Sequence, residues 1–285
     1  MVNGREDRIV NAFVYAALVL VAVAAVFPLL FVISASLTPY SEILRNGGYV
    51  IIPQGFTLEA YSQLLSDPAI PRALLVTLFI TVVGTAVNMV LTTFLAYPLS
   101  RKELPGRKFF TLAVLFTMLF NAGLIPTYLI VQQTGLLDTV WAMIIPSAVA
   151  VFNVLVMKAF FERLPEELID AARIDGAGEF RTLFQIVLPL SIPVMMTIGL
   201  FYAVGHWNEF MAAILYVRDQ ALQPMQVVVR RMLDQSQSFE NVDVVVPTVT
   251  LQMAAIVIAA APMVAVYPFI QKYFQNGVML GSVKG

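Results

Sequence analysis

The stretch Asp170-Ala171-Ala172-Arg173-Ile174-Asp175-Gly176, followed after nine residues by Ile186-Val187-Leu188-Pro189, is a short polar island in a strongly apolar chain. Hydrophobic residues make up 59% of the chain and charged residues only 12%, whereas a soluble domain averages about half apolar and a quarter charged. The composition therefore predicts an integral membrane protein. The island predicts a segment that contacts something in the aqueous phase.

Helix signals surround the first half of this island. Pro165 suits a first helical position, and Glu166 and Glu167 place negative charge in the first turn. Good helix formers follow through Ile174, and Gly176 can end the helix. The sequence thus predicts a helix of about ten residues that stops at a glycine hinge.

A second helical pattern begins after Gly178 and runs to the prolines that mark entry into a membrane span. Its apolar residues follow the spacing i, i+3, i+4 and i+7, and the side chains around the hinge are small enough to let another protein approach closely. The pattern predicts a docking surface for a cytoplasmic partner. The apolar residues are Phe180, Leu183, Phe184 and Val187, the prolines are Pro189 and Pro193, and the small residues are Ala171, Ala172, Gly176 and Ala177.

The charge and the residue inventory exclude several functions. A net charge of -1 gives no basic field for nucleic acid. The chain has no cysteine and a single histidine, His206, so a disulfide framework and a Cys/His metal site are excluded. It has no G-x-x-x-x-G-K-[ST] phosphate loop and no paired-carboxylate or nucleophile-base arrangement, so we expect neither a bound cofactor nor enzyme activity in this chain.

Hydropathy predicts an all-α membrane fold. A bilayer core of about 30 Å takes about 20 helical residues. Six apolar segments reach that length, and the first exceeds the apolar run of a signal peptide, so we interpret it as a retained helix. The predicted spans are 12–34, 73–97, 109–131, 139–160, 190–216 and 247–270.

The positions of lysine and arginine predict the orientation. With the amino terminus inside, twelve of these residues fall in inside segments and five in outside segments, as the positive-inside rule requires. Both termini, the segment 161–188 and the tail 271–285 are then cytoplasmic. Segments 37–70 and 217–246 are external and long enough to contact an external partner, although they could also be simple lids over the helices.

The island resembles the signature cytoplasmic loop of permease subunits of bacterial ABC importers, which reads Glu-Ala-Ala, three residues, Gly, nine residues, Ile-x-Leu-Pro. The chain departs from it only at Asp170, where the family commonly has Glu. The resemblance implies that this loop couples the permease to a separate ATPase subunit. The implied coupling residues are Asp170, Ala171, Ala172, Asp175, Gly176, Ile186, Leu188 and Pro189.

The whole chain is similar to the smaller permease of the maltose importer and its carbohydrate-uptake relatives. Within that group, the segment Gly205-His206-Trp207-Asn208-Glu209-Phe210 and the tail look most like permeases for complex oligosaccharides, including pectin-type fragments and alginate. The resemblance implies a multi-pass protein of the bacterial cytoplasmic (inner) membrane. Its implied partners are a second permease, two ATPase subunits that bind ATP and Mg, an extracytoplasmic solute-binding protein and a carbohydrate substrate.

Polar residues inside the predicted spans are candidates for the translocation path, because exposing them to lipid is costly. Imidazole, indole, amide and carboxylate follow one another in the fifth span, and sugars are bound by aromatic faces together with hydrogen-bonding groups. The alternative is that polar residues, including Asn88, Asn153 and Gln252, simply join helices through hydrogen bonds. The candidate path residues are His206, Trp207, Asn208, Glu209 and Asn121.

The carboxyl-terminal tail is a further candidate for docking. It is glycine-rich, too short to fold alone and too apolar for an ordinary solvated end, so we expect a flexible segment that binds a partner. In the resembling family the matching tail enters the interface between the ATPase subunits. The candidate residues are Gly277, Val278, Met279, Leu280 and Lys284.

Two other function classes remain open at this point. A proton-coupled secondary transporter would use Glu209 as its proton site and would need no ATPase. A membrane assembly factor would need no translocation path and would support no solute flux. Purification with bound ATPase subunits distinguishes the importer from the secondary transporter, and solute flux distinguishes it from the assembly factor.

Overall fold

The computed structural model describes the backbone of residues 5–53, 55–235 and 248–282, and the side chains of residues 10–53, 55–234 and 248–266. This part of the chain is helical and contains no strand, which confirms the predicted all-α class. The α-helices are α1 (Arg5–Ser36), α2 (Tyr40–Arg45), α3 (Glu59–Ser66), α4 (Ala69–Ser100), α5 (Arg107–Leu119), α6 (Leu124–Gln133), α7 (Val151–Phe161), α8 (Glu166–Ile174), α9 (Glu179–Thr182), α10 (Leu188–Leu190), α11 (Ile192–Trp207), α12 (Met211–Tyr216), α13 (Met225–Gln235) and α14 (Val249–Ser282).

The chain divides into two compact units. The first comprises Met1–Ile70 and Val229–Ala261. Its core joins Ala35 at the end of α1 to Ile43 of α2 and Met253 of α14. Residues 10–30 of α1 are exposed throughout, so this apolar surface must face lipid or another subunit.

The second unit comprises Pro71–Val228 and Pro262–Gly285 and contains most of the candidate site residues. In one cluster, Met157 and Phe161 of α7 pack with Leu183. In another, Met143 in a 3₁₀ turn (Val140–Met143) packs with Ala213 of α12. Since lipid tails are as apolar as these side chains, close packing and hydrogen bonds hold such helices together more than the hydrophobic effect does.

Three described segments are long and apolar enough to cross a membrane as single helices: Val10–Ser36, Ala69–Ser100 and Val249–Val266. Two further candidates are bent pairs of helices. The pair Arg107–Leu119 and Leu124–Gln133 bends by 111°, and the pair Glu179–Leu190 and Ile192–Trp207 bends by 84°.

The predicted spans 12–34 and 73–97 lie within α1 and α4, and 247–270 overlaps α14. The span 109–131 corresponds to the first bent pair. The span 139–160 contains the 3₁₀ turn and the shorter apolar helix α7, and 190–216 contains α11 and α12. The six-span count and the cytoplasmic termini therefore stay predictions.

Candidate functional site

The first half of the island forms the amphipathic helix α8, one residue shorter at its start than predicted. Gly176 has φ +75°, and its N–H donates to the carbonyl of Arg173 at 3.0 Å, while the N–H of Ala177 donates to the carbonyl of Ala172 at 2.9 Å. These two bonds form a Schellman end, which glycine favours because its left-handed conformation carries no Cβ penalty. The helix end at Gly176 predicted from the sequence is confirmed.

One face of α8 is buried in the chain and the other is open. Ile169 and Ala172 point inward, so the small side chain of Ala172 serves close packing within the chain. The candidates Asp170, Ala171 and Asp175 are exposed.

Apolar side chains also stand on the open side of this segment. Ile174 at the end of α8 is 86% exposed, and Phe180 in α9 is 71% exposed. Exposed apolar groups of this size beside a polar helix are typical of a protein interaction surface. We call the surface formed by Leu168, Ala171, Ile174, Gly176 and Phe180 the docking surface.

Arg173 fastens α8 to two other segments. Its guanidinium lies 3.1 Å from a carboxylate oxygen of Glu103, in the turn after α4, and 3.1 Å from one of Glu179, at the start of α9. The other oxygen of Glu179 accepts the hydroxyl of Tyr97 at 2.6 Å. A backbone hydrogen bond within Glu103, together with Arg173, lowers the pKa of the Glu103 carboxyl, and Glu103 raises the pKa of Arg173.

A cavity of about 370 Å³ lies within this group of side chains. Phe94, Pro98 and Leu183 contribute apolar walls. The guanidinium of Arg101 stacks on the ring of Tyr97 at 4.5 Å and also borders the cavity. The docking surface therefore lies beside a cavity at the end of α4.

The second half of the island contains a π turn, Leu183–Val187, between α9 and α10. Pro189 follows it, has no N–H to donate, and would clash with the carbonyl four residues back in a regular helix, which the wider turn relieves. Ile186 and Leu188 are half-buried and Pro189 is exposed. Of the four apolar residues at helical spacing, Phe180 and Phe184 are exposed, whereas Leu183 and Val187 are buried.

His206 is enclosed by the protein. It is 4% exposed, and its Nε2 lies 2.9 Å from Nδ2 of Asn88 in α4. Gly84 faces the ring so closely that a Cβ there would lie 2.6 Å from Nε2. Within this chain the geometry favours the helix-joining interpretation of His206, and its contact with sugar stays a prediction.

The next three candidates occupy the break between α11 and α12. Trp207 is 5% exposed, and its carbonyl accepts from Nε2 of Gln226 at 3.4 Å. Asn208 is exposed and donates to the carbonyl of Val204 at 2.9 Å. Glu209 is half-buried, and its Oε1 accepts the N–H of Ala212 at 2.9 Å, which caps α12.

Asn121 occupies the break between α5 and α6. Its Oδ1 accepts the N–H of Gly123 at 2.8 Å, and Gly123 has φ +88°. The side chain is exposed and lies near the midpoint of the predicted span 109–131. Irregular backbone at membrane depth is tolerated only where protein buries it or where it lines water, so this break is a candidate lining of a path.

A polar stripe along α4 was not expected from hydropathy. Thr92 Oγ1 lies 2.6 Å from the hydroxyl of Tyr202, and Thr77 Oγ1 accepts the N–H of Met225 at 2.8 Å. The sequence singles out only Asn88 of this stripe, but the spacing of three or four residues could have identified the rest. The stripe consists of Thr77, Thr81, Thr85, Asn88 and Thr92.

The candidate tail residues Gly277, Val278, Met279 and Leu280 lie in the last turns of α14, and Lys284 lies outside the described residues. The backbone of this tail continues as a helix as far as Ser282. An isolated glycine costs a helix only about 1 kcal/mol, so Gly277 and Gly281 do not interrupt it. The docking role of this tail stays a prediction.

Comparison with known proteins identifies the family. The family model described as "Binding-protein-dependent transport system inner membrane component" matches residues 8–279. The chain is 43% identical over 286 residues to the polygalacturonan/rhamnogalacturonan transport system permease protein YtcP of Bacillus subtilis (strain 168), covering 98% of this chain and 100% of YtcP. It is 44% identical over 270 residues to Protein LplC of the same organism, covering 93% of this chain and 91% of LplC.

A solved structure shares the fold. It belongs to a bacterial ABC transporter involved in the import of the acidic polysaccharide alginate, and the match has a TM-score of 0.89 at 30% identity. The match covers 96% of this chain and 99% of the solved chain. The chain therefore belongs to the family of binding-protein-dependent transport system inner membrane components.

Proposed function

We propose that this chain is a permease subunit of an ATP-driven importer and forms half of the translocation path for oligosaccharides derived from acidic polysaccharides. The names of its relatives support the substrate class, since YtcP is named for polygalacturonan and rhamnogalacturonan and the solved structure for alginate. An external solute-binding protein would deliver the sugar. A second permease would complete the path, and two ATPase subunits would supply the energy.

The exposed docking surface is the observation that carries this proposal. Ile174 and Phe180 are exposed on a segment that Arg173 links to Glu103 and Glu179 and that contains the Schellman end at Gly176. A chain without a phosphate loop needs an external motor. An exposed apolar surface next to a polar helix provides a binding surface for an ATPase subunit.

Two helix breaks support the assignment of the path. Asn121 and Asn208 are both exposed at places where the backbone leaves the helix, and Glu209 lies beside the second. In transporters, interrupted helices present polar groups to a substrate at membrane depth. Asn121, Asn208 and Glu209 would face the sugar, while His206 and Trp207 would support them from inside the chain.

The external segments and the tail complete the proposal. Helix α13 lies in the segment 217–246, which would contact the binding protein, although residues 236–247 lie outside the described residues. The end of α14 would reach the ATPase subunits. Deleting residues 277–285 should then weaken ATPase association without affecting docking of the binding protein.

Replacing Ile174 tests the docking surface directly. The side chain contributes little to the fold because it is 86% exposed, so Ile174→Asp should leave insertion intact while the ATPase subunit no longer co-purifies. Ile52→Asp is the matched control, because Ile52 is 77% exposed on the segment assigned to the external side. Normal co-purification of the ATPase with Ile174→Asp would contradict the proposal.

A further inference from the structure

A second cavity, of about 350 Å³, lies beside the start of α5, where this helix packs against α7. Its walls are Arg107, Lys108, Thr111, Leu112 and Lys158. It shares no lining residue with the docking surface or with the helix breaks. It lies next to the turn 101–108, which the positive-inside rule places at the cytoplasmic side of the membrane.

Positive charge exceeds negative charge around this cavity. Glu162 accepts hydrogen bonds from both Arg107 and Lys158, the second at 2.7 Å. Arg107 is held further by a bond from its Nε to the carbonyl of Leu99 at 2.9 Å. In the part of the chain that the structure describes, Lys108 has no carboxylate oxygen within salt-bridge distance, so one carboxylate balances three cations.

Exposed apolar side chains lie next to these charged groups. Leu112, one turn further along α5, is exposed, and so is Phe109. None of the residues of α5 is buried within the chain. Cations next to an exposed apolar helix face complement a membrane interface. Lipid headgroups would lie beside the cations, and acyl chains would lie beside the leucine.

We propose that this cavity binds the phosphate group of an anionic phospholipid from the cytoplasmic leaflet. Arg107 and Lys158, fixed by Glu162, form the preorganised part of the site, and Lys108 supplies an unpaired cation to the headgroup. The Thr111 hydroxyl can donate a hydrogen bond to a phosphate oxygen, and Leu112 contacts the first part of an acyl chain. The proposal rests on the membrane orientation proposed above but not on transport.

The test counts lipid bound to the intact transporter. The complex in detergent is titrated with phosphatidylglycerol or with phosphatidylcholine, and bound lipid is counted by native mass spectrometry. Lys108→Gln should weaken phosphatidylglycerol binding about fivefold, which corresponds to about 1 kcal/mol for one basic residue near an anionic surface. Lys108→Arg should retain binding, because it keeps the charge.

Lys102→Gln is the matched control. It removes the same charge from the same turn, but Lys102 pairs with Glu166 and does not line the cavity. It should bind phosphatidylglycerol as the wild type does. An equal loss with Lys102→Gln, equal binding of phosphatidylcholine, or unchanged binding by Lys108→Gln would overturn the proposal.

Excess inorganic phosphate distinguishes a lipid site from a site for free phosphate. Displacement of phosphatidylglycerol by inorganic phosphate would assign the site to the free anion and overturn the lipid assignment. Because the chain has no cysteine, labelling of Lys102→Cys in sealed vesicles reports independently which side this turn faces. Neither measurement depends on uptake or ATPase activity, so failure of the importer assignment would be seen separately.

Discussion

The imidazole of His206 lies 2.9 Å from the side-chain amide of Asn88, 118 residues earlier in the chain. This contact joins α11 to the middle of α4. Gly84 makes it possible, because its missing Cβ leaves room for the ring. A polar pair enclosed in this way holds two helices in one rotational setting, since any rotation separates the partners in an environment without water.

Gly84→Ala should break this contact. The added Cβ would lie 2.6 Å from the imidazole, so the ring must move, at a cost of about 1–3 kcal/mol. The measurement is the thermal unfolding midpoint in detergent. Gly199→Ala is the control, because its Cβ meets only Met89 Sδ at 3.8 Å and alanine favours the helix by about 0.5–1 kcal/mol. Equal stability of the two variants would show that the ring moves without cost.

Tyr202→Phe should destabilise the start of α7. The hydroxyl of Tyr202 bonds to Thr92 and accepts the N–H of Ala150 at 3.1 Å, so its removal leaves a backbone donor unpaired, at about 1–3 kcal/mol. Hydrogen exchange at residues 150–154 should accelerate. The control is Tyr216→Phe, a similarly buried tyrosine whose ring packs near Tyr128. Equal exchange in the two variants would contradict the role of Tyr202.

Helix α8 was predictable because its signals are local. Pro165 and the two glutamates mark a helix start, and Gly176 marks its end. The observed helix Glu166–Ile174 follows from those few residues. The family was predictable for the same reason, since the loop motif fits into twenty consecutive residues.

The helix breaks and the contacts between helices were not predictable. The predicted span 109–131 runs without interruption through Phe120, so hydropathy gives one continuous span where the backbone turns by 111°. The bond between Asn88 and His206 depends on helix packing that no local pattern encodes. Their polarity identified both residues as candidates. Only the distance between them distinguishes a role in joining helices from a role in contacting sugar.

Acid should weaken the link between the turn at Asp138 and the segment after α12. Asp138 accepts the N–H groups of Asp219 and Arg218, both at 2.8 Å, and these bonds lower the pKa of its carboxyl. The stabilisation is thus present above the usual pKa of about 3.9 and disappears as the pH falls through the lower pKa of the folded protein.

Asp138→Asn isolates this effect. Asparagine keeps an acceptor oxygen and tolerates the φ of 62° at this position, but it does not titrate. Unfolding midpoints measured between about pH 5 and pH 2 should fall more steeply in the wild type than in this variant. Parallel curves would show that the carboxylate contributes nothing to the link.

Arg173→Gln should loosen α8. The guanidinium joins this helix to Glu103 and Glu179, and exposed pairs of this kind contribute about 1 kcal/mol or less each. Hydrogen exchange of residues 166–174 should therefore rise a few-fold, and stimulation of ATPase by the loaded binding protein should fall. The control is Arg181→Gln, because within the described residues the side chain of Arg181 bonds to Gln185 in the adjacent π turn and to no other helix. Unchanged exchange in Arg173→Gln would rule out a fastening role.

Glu209→Gln should keep ATP-driven uptake. The amide oxygen can still accept the N–H of Ala212 and cap α12, whereas Glu209→Ala loses the cap at about 1 kcal/mol. Uptake is measured in vesicles with ATP inside, and separately with a pH gradient and no ATP. Uptake that needs only the pH gradient, and that Glu209→Gln abolishes, would make the protein a proton-coupled carrier.

The π turn before Pro189 sets the direction in which the docking surface faces around the helix axis. It holds one residue more than an α turn would, and each residue rotates a helix by about 100°. The number of residues between Phe180 and the membrane therefore sets the direction that this surface faces. The side chains alone do not determine it. Deleting Phe184 alone, within Leu183–Val187, would keep every proposed coupling residue and still turn the surface away from the proposed ATPase contact. The direction that the proposed docking surface faces therefore depends on the length of one short segment of chain.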